Sequence, residues 1–299
     1  MSEFEKYMNL MFIKTILYIV SILGCGLFIL LYIYLFFHVI RNKSEKISSK
    51  NVGLGTNYML MLIISNLAGA FTEIILYYKV KEIKDNVPKS FCYSFGFFRN
   101  YFELCSVSWI SMITFLFYKS TTPTNVEPNE ECYQFLIGIL YSFILPLLFT
   151  LPPYFSEIFE ALGPKCSFSQ SVSLYAVLFT IHLYLNVILQ ILALYRSYFF
   201  YNQKLKILKE QNIEEYNLLN IYVWIFLLFP IYLILTRTIK LISRLNEEVF
   251  LIIGECSFAL SGFVDSFVCI FFLRGAIPCC KKEENVLIEE KSISSINIS

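Results

Sequence analysis

Residues Phe91–Tyr118 read FCYSFGFFRNYFELCSVSWISMITFLFY, and the fold turns on how this stretch is read. It is longer than the roughly 20 apolar residues that cross a bilayer. It opens with Cys92, carries Arg99 and Glu103 four residues apart, and runs straight into Lys119. At about 100° per residue, Arg99, Glu103, Ser106, Ile110 and Phe117 share one narrow stripe of a helix. Lipid penalises such a stripe, because a central charge costs about 2.5–3.5 kcal/mol even on insertion scales. The polar face therefore looks into a protein bundle or a wet cavity. This helix is central to the molecule and is not a lone anchor.

Working outward, the rest of the chain has the same character. Hydrophobic residues make up 57% of it and charged ones only 16%. With a mean hydropathy of +0.62, and with the apolar residues gathered in blocks, the chain reads as a polytopic membrane protein. A net charge of +1 gives no electrostatic footprint for nucleic acid, so none is expected as a partner. The first apolar block is too long for a cleaved signal peptide and is expected to stay as an anchor.

Seven blocks have the length of a membrane span: Thr15 to Ile40, Asn57 to Tyr78, Phe91 to Tyr118, Cys132 to Leu151, Val172 to Tyr195, Leu218 to Thr236 and Val249 to Leu273. The expected fold is an all-α bundle of seven transmembrane helices forming one domain over residues 1–273, with a cytoplasmic tail over 274–299. Basic residues number 13 on the side of the first inner loop and 10 on the other. That bias puts the N-terminus outside and the C-terminus in the cytoplasm. In this orientation Cys92 and Cys166 both lie on the outer side, where oxidising conditions permit a disulfide. Cys279 and Cys280 follow helix seven on the inner side, a juxtamembrane position suited to S-palmitoylation.

Seven helices, a short N-terminus, and a cysteine at the start of helix three with another in the fourth-to-fifth loop resemble a G-protein-coupled receptor. More narrowly, Cys92, Gly96, Phe97, Phe98 and Trp109 on helix three, with Leu260, Gly262 and Phe263 on helix seven, resemble the cyclic-AMP-receptor-like branch of unicellular eukaryotes, related to the secretin-like receptors. Ser261 and Asp265 stand where that branch has Gln and Asn, and Ser167 follows Cys166 where Trp is usual. The resemblance implies a Cys92–Cys166 disulfide, an extracellular ligand, and a heterotrimeric G protein engaged when the inner end of helix six swings outward. It implies a plasma-membrane signal transducer with no cofactor, no metal and no catalytic residues.

The residues supply candidates for each part. With about 14 residues before helix one no large ectodomain is expected, and a ligand is expected to be caught by loops and helix ends. Candidates there are Arg99, Glu103, Glu73, Glu255 and Arg237. Arg99 and Glu103 admit two readings: they neutralise each other at i, i+4, or they face a ligand. Pro230 removes a backbone hydrogen bond from helix six and should kink it, with Trp224 one to two turns below. Asp265 lies one turn after Ser261 and should be hydrogen-bonded inside the bundle. These three are the switch candidates. Lys119, Lys204, Lys206 and Lys209 on the inner side are suited to G-protein contact, or to anionic membrane lipid. His182, alone on helix five, reads as a hydrogen-bonded core residue.

Two rivals bear on this. A retinal protein needs a Schiff-base lysine in its last helix, and Val249 to Leu273 has none. A seven-helix transporter of a small solute is the alternative function. Transporters show internal repeats and matched broken helices, which Pro146 and Pro230 do not supply.

Overall fold

The computed structural model describes residues 3–41, 54–83, 88–121, 128–156, 159–162, 165–168, 174–211, 231–232, 235 and 248–274. Helix one is α1, Glu3–Arg41, helix two is α2, Leu54–Ile83, and helix three is α3, Lys89–Thr121. Helix four is built from α4, Pro128–Ile139, a π-turn at Leu140–Ile144, and α5, Leu145–Phe155. Helix five is α6, Leu174–Gln211, and helix seven is α7, Glu248–Ala259, followed by α8, Ser261–Arg274. Almost all of the sixth block lies outside the described residues. From its described residues, Tyr232 donates its hydroxyl to the Ser257 carbonyl of α7.

The helices outrun their apolar blocks. Helix one begins at Glu3, well before Thr15, because a hydropathy count registers only the part that needs lipid, while the backbone ladder continues through polar turns. α1, α2 and the helix-four rod are long and apolar enough to cross a membrane.

Helices four and seven are each interrupted once. Pro146 has no N–H for the helix-four ladder, and the wide π-turn lies just ahead of it. Helix seven is interrupted at Leu260, two residues before Gly262, while the i→i−4 bonds Leu260 N to Cys256 O and Val264 N to Leu260 O keep the two pieces in line. A feature the all-α reading did not include is an antiparallel hairpin, β1 Phe159–Leu162 and β2 Lys165–Phe168, in the fourth-to-fifth connection. Its short strands pair with each other and pack on α3.

α3 is the hub: it packs on α2, α6, α5, the π-turn and the hairpin, while α1 closes against α2 and α8. Polarity is inverted relative to a water-soluble protein. Leu23, Leu30 and Leu148 are exposed, whereas Ser21, Ser108, Asn186, Gln190 and Asp265 are buried. Outward apolar side chains meet lipid, and inward polar ones meet each other. The main apolar core centres on Trp109, fully buried between Tyr58 and Phe143, each ring 5.4 Å away.

Glycines set two close approaches. A Cβ on Gly138 would stand 2.9 Å from the Tyr58 ring, so only glycine lets helix four sit where the Tyr58 hydroxyl reaches the Gln134 carbonyl at 2.6 Å. A Cβ on Gly262 would meet Ser21 Cβ at 3.1 Å and Asn66 Cβ at 3.5 Å. The glycine of the helix-seven motif thus brings α1 and α2 against α8.

Candidate functional site

Four charged side chains from four helices meet inside the bundle. Lys14 comes from α1, Glu73 from α2, Arg99 from α3 and Glu255 from α7. Lys14 Nζ lies 2.6 Å from Glu255 Oε2 and 3.8 Å from Glu73 Oε2. Arg99 closes the ring, with Nε 2.6 Å from Glu73 Oε1 and Nη2 3.2 Å from Glu255 Oε2. The Arg99–Glu73 contact is an ion pair outside hydrogen-bond geometry, and Glu73 Oε1 receives no hydrogen bond from the described residues. Side-chain exposures of 7%, 5%, 14% and 7% place the ring away from bulk water, with Arg99 the most accessible member.

The helices present these residues for a periodic reason. On α1, Met11, Lys14, Tyr18, Ser21 and Cys25 follow the helical repeat and are all buried. Two positive and two negative charges balance within the ring, which offsets part of the cost of removing them from water. Each ion links a different helix, so the ring fastens helices one, two, three and seven together. Removing one member of such a buried arrangement costs about 3–5 kcal/mol, because a charge is left without compensation.

Next to the ring is a cavity of about 40 Å³. Arg99, Glu103, Ser106 and Ile110, the polar stripe of α3, form one wall. Tyr18, Glu73, Asp265 and the aromatic rings of Phe102 and Phe258 complete it. At its deep end Asn66 donates a 2.8 Å hydrogen bond to Asp265 Oδ2, joining α2 to α8. Close by, Ser21 donates to the Ala259 carbonyl at the helix-seven break.

A second polar cluster ties α3, helix four and α6 together. Asn186 Oδ1 accepts from Ser111 at 2.8 Å and from Tyr141 at 2.7 Å, while Gln190 Nε2 donates to Ser111 at 2.8 Å. His182 lies 3.2 Å from Asn186 Nδ2 and stacks on Phe149, its ring centroid 4.7 Å away, as a core residue should.

The sequence candidates distribute as follows. Arg99, Glu73 and Glu255 come together in the ring, and Glu103 and Asp265 line the adjoining cavity. Arg99's ion pairs run across the bundle to other helices, so the local reading in which it serves only to neutralise its i+4 neighbour is too narrow. Lys14 was missed because it stands just before the first apolar block, among charges assigned to the outer surface. Cys92 is buried and disulfide-bonded. Cys166 lies on β2, in register opposite Ala161. Lys119 is in the last turn of α3, about 30 Å along the helix from Arg99 at 1.5 Å per residue. Arg237, Trp224, Pro230, Cys279 and Cys280 lie outside the described residues, as do the side chains of Lys204, Lys206 and Lys209.

This arrangement, a seven-helix membrane bundle with a charged interior, can be set beside known proteins. No protein-family model matches the chain, and no curated protein matches its sequence. Among solved structures, that of squid rhodopsin superposes with a TM-score of 0.65 at 13% sequence identity, over 100% of this chain and 94% of that one. The fold is thus that of the rhodopsin-type seven-helix bundle.

Proposed function

We propose that the protein is a cell-surface receptor that transmits the binding of an extracellular ligand to a cytoplasmic heterotrimeric G protein. The observation that carries this reading is the Lys14–Glu73–Arg99–Glu255 ring. Ionic groups buried in a membrane bundle are costly unless they serve a site or a switch. A ring that fastens four helices supplies both: a ligand that competes for any of its ions weakens the fastening at one end of the bundle.

In this reading the N-terminus is outside, residues 1–273 form the receptor and 274–299 the cytoplasmic tail. Arg99, Glu103, Glu73, Glu255 and Arg237 meet the ligand. Asp265 relays the change along helix seven, and helix six pivots at Pro230 with Trp224 below it. Lys119, Lys204, Lys206 and Lys209 face the G protein, and Cys279 and Cys280 carry lipid. Cys166 is the partner of Cys92, a pairing favoured by the packing of the hairpin on α3. The resemblance of Gly96, Phe97, Phe98, Trp109, Leu260, Gly262 and Phe263 to the cyclic-AMP-receptor-like motifs supports assignment to that branch, with the plasma membrane as the site of action. The experiment is G-protein recruitment in cells at matched surface expression. A receptor recruits, and a transporter of a small solute does not.

A further inference from the structure

We propose that the cavity beside the ionic ring binds a small protonated amine, a primary ammonium group on a short alkyl stub. This deepens the receptor reading by giving its site a ligand class. It rests on that reading for its meaning but is tested by binding alone.

The first observation is Tyr18. Its side chain is 5% exposed and lines the cavity, yet its hydroxyl has no hydrogen-bond partner among the described residues. Buried polar atoms of this kind are uncommon and call for a reason. A buried hydroxyl oxygen able to accept, in the wall of a cavity, calls for a donor in that space.

The second observation is charge. Among the described residues Glu73, Glu103 and Asp265 line the cavity against one cationic side chain, Arg99. A carboxylate or phosphate ligand would meet three like charges, whereas a cation meets a favourable field.

The third is shape. About 40 Å³ holds roughly three water-sized units at 10–15 Å³ each, enough for a methylammonium ion. Phe102, Phe258, Val107 and Ile110 supply apolar walls. These suit a methyl group and, in the aromatic rings, a cation. A bare metal ion gains nothing from such walls. Among the described residues, no three His, Cys, Asp or Glu side chains are grouped to hold one.

The test uses purified full-length protein in detergent, with thermal unfolding followed in methylammonium chloride, tetramethylammonium chloride and sodium chloride at equal ionic strength. Methylammonium, which has N–H donors and fits, is expected to raise Tm by about 2–4 °C at ten times its Kd over the other two salts. Tyr18→Phe removes a hydroxyl that bonds to none of the described residues, so its Tm in tetramethylammonium chloride should match wild type. Its binding of methylammonium should be at least tenfold weaker. Equal stabilisation by sodium or tetramethylammonium, no response to methylammonium, or an unchanged response in Tyr18→Phe would each overturn the proposal. If Tyr18→Phe does not fold, the salt comparison on the wild-type protein decides. Because no signalling is read, loss of binding and loss of coupling remain separate results.

Discussion

The ammonium of Lys14 lies 2.6 Å from Glu255 Oε2, joining residues 241 positions apart in the chain. Helix one, which opens the bundle, is thereby locked to helix seven, which completes it. Lys14→Met should strip Glu255 of this contact and destabilise the purified protein by about 3–5 kcal/mol. Lys14→Met with Glu255→Gln leaves Arg99 and Glu73 as a balanced pair and should recover about 1–3 kcal/mol of that loss. Thermal unfolding of both single mutants and the double checks this, and strict additivity would mean the two residues are not coupled.

The exchange Arg99→Glu with Glu103→Arg distinguishes a local pair from a bundle-wide ring. A local i, i+4 pair tolerates reversal at a cost of a few tenths of a kcal/mol. In the ring, a carboxylate at position 99 would face Glu73 and Glu255, which now lie 2.6 and 3.2 Å from Arg99. Surface expression of the exchanged protein should fall well below wild type. Full recovery would favour the local reading.

Much of this site was legible from residue order and part was not. The stripe of α3 was readable because helical periodicity alone puts Arg99, Glu103, Ser106 and Ile110 on one face. The partners of Arg99 were not, since they depend on how α2 and α7 are rotated about their own axes. Lys14 left a usable signal: it continues the repeat through Tyr18, Ser21 and Cys25 into the apolar block. His182, Asn186 and Gln190 recur every four residues on α6, a polar stripe that marks a packed face and was read only at its histidine. The hairpin at 159–168 and the break at Leu260 had no such periodic signature. Tertiary packing, not local propensity, chooses them.

Glycine substitutions test the helix-four contact against a control. Gly138→Ala would push a methyl to 2.9 Å from Tyr58 and should cost about 1–3 kcal/mol as an overpacked site. Gly26→Ala, with nothing within 4 Å of the new Cβ, should be neutral or stabilise α1 by about 0.5–1 kcal/mol. Melting temperatures of the two variants should therefore move in opposite directions or differ clearly in size.

Cys92→Ala and Cys166→Ala should lower surface expression to the same extent, and the double mutant should be little worse than either. Closing a loop of this length is worth about 4–5 kcal/mol by chain entropy. Additive losses would show that Cys92 bonds elsewhere.

The central claim is that the bundle couples to a G protein under control of the ionic ring. It is tested most directly by ligand-independent G-protein recruitment in living cells, with all variants matched for surface level. Wild type should recruit above the empty-vector background. The double substitution Lys14→Met with Glu255→Gln should raise that basal signal by several-fold, since each 1.4 kcal/mol taken from the resting state shifts the population about tenfold. Pro230→Ala should reduce it, and deletion of residues 283–299 should leave it unchanged. No recruitment by wild type or by the ring variant, or a signal lost only on deletion of the tail, would contradict the account.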